Sequence, residues 1–172
     1  METPAYDLGR ALSVDAEAIG EPGRRRFRLL ARSSVYAVAV WMEKEQLAGI
    51  GAWFDETLAR LETERPTEEP DVEPLPFGDA LDVEFQAAKI GLGYVEEEDL
   101  FALQAFDAEA DDEEERPTLH CLLSRGQCRV LSRKIGEVVT AGRPICPLCD
   151  RPIDPEGHAC PRSNGHRTGD KA

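Results

Sequence analysis

The feature that most constrains the fold is an order of segments that occurs twice along the 172-residue chain. In the first copy, three apolar segments of strand length precede a longer segment with an apolar residue every three or four positions, typical of a helix. The same order returns after a polar link. Three strands and one helix leave a sheet face and two edges uncovered, and a second copy can close them. The sequence therefore predicts one α+β domain of two pseudo-symmetric halves, each strand-strand-strand-helix.

The segments are visible in the sequence itself. The first copy reads RALSVDAEAIG, RRRFRLLARS, SVYAVAVWM and EKEQLAGIGAWFDETLARL, and the second reads VEFQAAKIGLGYV, DLFALQAFDAEA, PTLHCLLSRG and QCRVLSRKIGEVVTAG. Aligning the copies matches one helix with the other through four pairs of residues: Gln46 with Gln127, Ile50 with Leu131, Phe54 with Ile135, and Leu58 with Val139. It also matches Ile19 and Gly20 with Leu92 and Gly93.

These segments set the expected domain boundaries. An α+β domain at residues 1–142 contains two repeats at about 8–61 and 82–142. They are joined by a proline-rich link at 62–81, whose carboxylates we expect to keep it solvated. Residues 143–172 form a separate zinc-binding extension with a flexible tail.

Charge and hydrophobicity exclude several function classes. The net charge of -14 is the sum of -15 on residues 1–142 and +1 on residues 143–172, so most of the surface should repel phosphate backbones. The longest apolar run, Val35 to Met42, is far shorter than the roughly 20 residues that span a bilayer. Because no secretory signal is visible at the amino terminus either, we expect a cytoplasmic protein.

A dense group of cysteines and histidines follows, in the stretch ICPLCDRPIDPEGHACPRSNGH from Ile145 to His166. In a reducing compartment such clustering favours a metal over disulfides. Two cysteines separated by two residues, Cys146 and Cys149, form a first chelating knuckle for Zn²⁺. The turn-rich DRPIDPEG that follows can fold the chain back and bring Cys160 to face them.

The fourth ligand is a histidine, and two candidates remain open. Short zinc ribbons carry a fourth cysteine where this chain has Ser163, and serine is a poor zinc ligand. His158 lies two residues before Cys160, so in extended backbone both side chains face the same side. His166 can reach the metal around the PRSNG loop. We favour His158, and the unliganded histidine can then support the site by a hydrogen bond.

The ligand set argues for a structural metal. A catalytic zinc has three protein ligands and a water, whereas three cysteines and a histidine fill the shell. A redox CxxC pair usually opens a helix, which Pro152 and Pro155 forbid after Cys149. We therefore predict no catalytic residue. The expected function is that of a non-enzymatic adaptor or regulatory protein with an unidentified protein partner, and a small metal-dependent hydrolase is one alternative.

The cysteine segment, preceded by an acidic α+β region of this length, resembles an uncharacterised family found mainly in high-GC Gram-positive bacteria. The resemblance covers nearly the whole chain, and its most specific part is the GH-x-CPR-x-NGH ending, here GHACPRSNGH. Asp150 departs from the glycine that often follows the second cysteine of such knuckles. The resemblance implies the architecture and the metal, and it implies no catalytic residue.

Two further groups of residues merit interpretation. Basic residues cluster around the second strand, and they suggest a second alternative function, binding of single-stranded nucleic acid or another polyanion: Arg24, Arg25, Arg26, Arg28 and Arg32. A second basic group, Arg125, Arg129, Arg133 and Lys134, occupies the corresponding region of the second helix, and the two groups are interpreted either as surface that balances the abundant carboxylates or as a polyanion groove between the halves. His120 is expected to be a strand residue with a satisfied hydrogen bond. It cannot readily form a dyad with Cys121, because neighbouring strand residues point to opposite faces.

Overall fold

The computed structural model describes residues 3–21, 23–111, 116–141, 146–151, 153 and 157–162. Seven strands and two helices follow in the order β1 Tyr6–Arg10, β2 Ser13–Ile19, β3 Arg26–Arg32, β4 Ala37–Met42, α1 Lys44–Glu64, β5 Val83–Val95, β6 Leu100–Asp107, β7 Leu119–Leu123 and α2 Arg125–Thr140. The predicted α+β class with duplicated halves is confirmed; the first predicted strand corresponds to β2, and β1, which precedes it, was not predicted. No helix in the described ranges is long and apolar enough to cross a membrane.

The first strand of each half changes partners along its length. β1 and β2 are separated only by Ala11 and Leu12, yet β1 pairs in parallel with β7 and β2 pairs antiparallel with β3. Likewise β5 pairs in parallel with β4 from Val83 and antiparallel with β6 from Ala87. Part of the first strand of each half therefore pairs with a strand of the other half. The result is one seven-stranded sheet in the order β1-β7-β6-β5-β4-β3-β2.

The two helices begin with the same device, at matching positions. Glu43 with Gln46 and Ser124 with Gln127 each form a capping box, which satisfies free N–H groups of the first turn. Both helices bury one apolar face in a shared core: Leu47, Ile50, Phe54 and Leu58 from α1, with Cys128, Leu131, Ile135 and Val138 from α2. The helix alignment read from the sequence matches the structure at both capping glutamines and at two buried pairs, whereas Val139, the residue matched with Leu58, is only partly buried.

The strand alignment read from the sequence is wrong by three residues. Ile19 pairs with Arg26 at the end of one hairpin, and Val95 pairs with Leu100 at the end of the other, so Ile19 corresponds to Val95 rather than Leu92. The shared glycine was misleading. Gly20 lies in a turn with a φ of 111°, whereas Gly93 lies within β5.

The link between the halves is largely exposed, as expected from its carboxylates, and it is also anchored to α2 by several contacts. Glu69 accepts a hydrogen bond of 3.1 Å from Gly126 N, and Asp71 accepts one of 2.6 Å from Arg129 Nε. A Cβ atom on Gly126 would lie 2.1 Å from the carbonyl oxygen of Pro70. The carboxylates of the link therefore neutralise arginines of α2, and only glycine fits beneath the link at that point.

Arg125 was expected on the surface and instead is 2% exposed. Its guanidinium donates to Asp99 Oδ1 at 2.8 Å and to the carbonyl oxygen of Arg65 at 2.6 Å. Tyr94 donates to the same carboxylate oxygen at 2.6 Å. A buried charge is tolerated only when paired in this way, so the network fixes the end of α1 and the β5–β6 turn to the start of α2.

Candidate metal centre

Four residues of the carboxy-terminal extension converge on one point. Each of Cys146, Cys149, His158 and Cys160 offers a ligand atom, and these atoms all lie within 4.8 Å of one another. They include three of the predicted cysteines and the favoured histidine. His166, the alternative histidine, lies outside the described residues, as does Ser163.

Two of the separations within the cluster match a tetrahedral metal shell. Cys146 Sγ and Cys160 Sγ are 3.8 Å apart, and Cys149 Sγ and His158 Nε2 are 3.4 Å apart. With Zn–S at about 2.3 Å and Zn–N at about 2.0 Å, tetrahedral angles place two sulfurs about 3.8 Å apart and a sulfur and nitrogen about 3.5 Å apart. A disulfide requires sulfurs about 2.05 Å apart. The geometry therefore fits metal ligation and not cross-linking.

A tight turn presents the first two cysteines. Cys146 N donates to Arg151 O at 2.8 Å, and Asp150 N donates to Cys146 O at 2.9 Å. Closing this turn places Asp150 at a φ of 56°, in the left-handed region that favours glycine. The departure from glycine noted in the sequence thus falls at a position where glycine would be least strained, and aspartate tolerates that region better than most residues.

Backbone hydrogen bonds within the turn prepare a thiolate. N–H groups of Leu148 and Cys149 lower the pKa of the Cys146 thiol to about 7. Burial raises the pKa of Cys149. By contrast, burial in the core raises the pKa of Cys121 to about 12. Since the thiolate is the form that binds metal, Cys146 is suited to be the first ligand and Cys121 is not.

The second side of the site is tied to the first. Gly157, with a φ of 94°, precedes His158, and Cys160 follows two residues later. Arg162 Nη1 donates to Leu148 O at 3.2 Å, so the two sides of the site are also joined by a hydrogen bond. Leu148 itself is 52% exposed at the tip of the turn. The sequence analysis did not single out Leu148, although its position between two ligand cysteines indicates an exposed side chain.

The other candidate residues lie away from the cluster, in the α+β domain. His120 Nδ1 is 3.1 Å from Asp7 Oδ1, which bears out the expected satisfied histidine. The pKa of Asp7 is lowered by a hydrogen bond from Gly9 N and by His120. Cys121 is fully buried on the opposite side of the strand, so no His120–Cys121 dyad forms.

The arginines proposed for polyanion binding have different environments. Arg28 forms ion pairs with Glu17 and Glu84 and is therefore neutralised. Arg26 is exposed and its Cζ lies 4.1 Å from the centre of the Trp41 ring. Arg25 donates to Ala141 O at 3.0 Å, at the end of α2. Trp41 is half-exposed, whereas its neighbours Val40 and Met42 are buried.

Comparison with known proteins gives one family. A family model described as "Protein of unknown function (DUF3090)" matches residues 6–160. The matched range includes both halves of the domain and all four residues of the cluster. No curated protein and no solved structure matches the chain.

Proposed function

The chain belongs to the DUF3090 family of proteins of unknown function, and we propose that it is a non-enzymatic zinc protein whose structural metal folds a small carboxy-terminal module. One observation carries the proposal: the ligand atoms of Cys146, Cys149, His158 and Cys160 lie within 4.8 Å of one another. Three thiolates and one imidazole are the ligands of a closed, structural zinc site. Because a tetrahedral shell is then full, no position remains for the water that a metal-dependent hydrolase requires.

Metal analysis of paired cysteine variants tests this assignment. The purified protein should carry a single zinc ion per chain, and Cys149→Ser should lose it. Cys128→Ser is the matched control, because Cys128 is a free cysteine buried in the core and should leave the zinc in place. Equal zinc contents in the two variants would contradict the site.

The proposed biological role is that of an adaptor or regulatory protein that binds another protein. Leu148 supports this role, since it is a large apolar side chain 52% exposed between two ligands. A metal knuckle holds such a residue in one conformation, which lowers the entropy lost on binding. Thiolate ligands such as Cys146, Cys149 and Cys160 persist in a reducing compartment, which agrees with the cytoplasmic location expected from the sequence.

The role of Leu148 in partner binding can be tested by comparing it with another leucine of similar exposure. Leu148→Ser should abolish capture of the partner from a native lysate while zinc content stays unchanged. Leu75→Ser is the control, since Leu75 is 49% exposed but lies on the link between the halves. Loss of the partner in both variants, or in neither, would contradict docking through the knuckle.

A further inference from the structure

A pocket of about 260 Å³ opens on the first half, where β3, β4 and the start of α1 meet. Its walls combine positive charge with one aromatic ring and one amide. The residues that matter for its chemistry are Arg25, Arg26, Trp41, Lys44 and Gln86. None of them belongs to the metal centre, so the pocket requires an explanation of its own.

The cations of the pocket lack acidic partners, which is unusual in a chain with a net charge of -14. In the part of the chain that the structure describes, no carboxylate forms a salt bridge with Arg25, Arg26 or Lys44. The neighbouring Arg28, by contrast, is held by Glu17 and Glu84. Arg25 is positioned by a hydrogen bond of 3.0 Å from its Nη1 atom to Ala141 O, a neutral acceptor that leaves the positive charge without a carboxylate.

Two carboxylates also line the pocket, and they do not cancel its charge. Glu43 is engaged in the capping box with Gln46, which also satisfies the first turn of α1. Glu45 is exposed. Three cations against two carboxylates leave the pocket positive, and the positive charge comes from side chains rather than from the helix end.

The aromatic wall adds a second kind of recognition. Arg26 lies with its Cζ atom 4.1 Å from the centre of the Trp41 ring, while the residue as a whole is exposed. The guanidinium of Arg26 thus contacts the indole while the residue stays accessible, and the Cζ atom of Arg28 lies 5.0 Å from the same ring centre. Nucleobases stack on guanidinium planes as they do on aromatic rings. Gln86 pairs with Trp41 across the β4–β5 ladder and offers both a donor and an acceptor to a base edge.

We infer that this pocket binds a nucleoside phosphate, with the base stacked on Arg26 and the phosphate between Arg25 and Lys44. The same chemistry is presented by a free nucleotide and by the end of a single strand. This binding activity goes beyond the zinc centre and does not depend on it, because every residue involved lies in the α+β domain.

Fluorescence of Trp41 provides a direct readout in the full-length, zinc-loaded protein. The chain has two tryptophans, and Trp53→Phe leaves Trp41 as the reporter. Titration with AMP at low salt should change this fluorescence in a saturable way. Arg26→Ala and Lys44→Ala should each weaken binding about tenfold or more, as expected for the loss of a charge-assisted contact. Lys134→Ala, which removes the same charge from α2, should leave the affinity unchanged.

Further ligands distinguish the sources of the nucleotide. Inorganic phosphate should bind at least about tenfold more weakly than AMP, because stacking contributes about 1–3 kcal/mol per base. A short single-stranded oligonucleotide that competes at lower concentration than AMP identifies a strand as the ligand, and weaker competition identifies a free nucleotide. The inference is overturned if AMP gives no saturable change, if phosphate binds as tightly as AMP, or if Lys134→Ala weakens binding as much as Arg26→Ala.

Discussion

The Nε2 atom of His158 lies 3.4 Å from the Sγ atom of Cys149. These two residues come from opposite sides of the cysteine segment, and their approach completes a set of three sulfurs and one nitrogen. The predictions for the metal centre follow from this closure, and those for the domain follow from contacts that join its two halves.

Replacing each of the two histidines with alanine in turn should show which one binds the zinc ion. His158→Ala removes one of the four clustered ligand atoms, so zinc affinity should fall at least about 100-fold, more than is typical for loss of a group that only supports a ligand. His166→Ala should retain zinc with less than about a tenfold change. Competition with a chromogenic chelator measures both affinities, and the reverse order would assign the metal to His166.

Thiol reactivity should rank the cysteines by their environments. In zinc-stripped protein at pH 8, Cys146, Cys149 and Cys160 should be alkylated well before Cys121, because the module that the metal folds then opens to the reagent. Cys121 should remain unmodified, since burial raises its pKa to about 12 and excludes the reagent. Timed alkylation followed by peptide mass spectrometry measures the order. Early modification of Cys121 would contradict the described core.

Two glycines of α2 should respond to alanine with opposite signs. Gly126→Ala places a Cβ atom 2.1 Å from Pro70 O, so the link must move, and unfolding free energy should fall by about 1–3 kcal/mol. Gly136→Ala has open space around it and should raise that free energy by about 0.5–1 kcal/mol through helix propensity. Urea denaturation of the two variants measures the difference. Equal effects would mean that the link does not pack on the helix.

The hydrogen bond between buried Arg125 and Asp99 should make the free energy of unfolding depend on pH. Although burial raises the pKa of Asp99, hydrogen bonds from Tyr94 and Arg125 outweigh it and lower the pKa from its ordinary value. The ionised carboxylate therefore stabilises the fold above the ordinary pKa of an aspartate, and this contribution is lost as the pH falls through the lowered native pKa. Asp99→Asn should be less stable than the unchanged protein at pH 7, with a smaller gap at low pH. Denaturation curves across pH 3 to 7 measure the gap, and a constant gap would contradict the network.

Local patterns predicted the helices and the cysteine cluster. Capping boxes and apolar spacing are properties of a few neighbouring residues, so the match of Gln46 with Gln127 is visible without tertiary information. Cys146 and Cys149 are likewise positioned by one turn. Whether His158 or His166 is the fourth ligand depends on the path of the chain around Cys160. The spacing of the residues in the sequence does not determine that path, so both histidines remained possible.

Contacts between distant segments were not predicted. Arg125 looks like one member of a basic helix surface, and its burial depends on Asp99, a residue held at a φ of 54° in a turn between strands. In the sequence, Asp71 is one of several carboxylates of the link, and nothing near it indicates its hydrogen bond with Arg129 of α2. In each case the partner lies far away in the sequence, and no local pattern reports which charged residues meet.

The most direct test of the account is X-ray absorption at the zinc edge of the purified protein. The account predicts zinc bound by three sulfurs at about 2.3 Å and one nitrogen at about 2.0 Å, with no water ligand. His158→Ala should remove the nitrogen contribution from any residual zinc. Full occupancy with fewer than three sulfurs, or with an oxygen from water in the shell, would contradict a closed structural site.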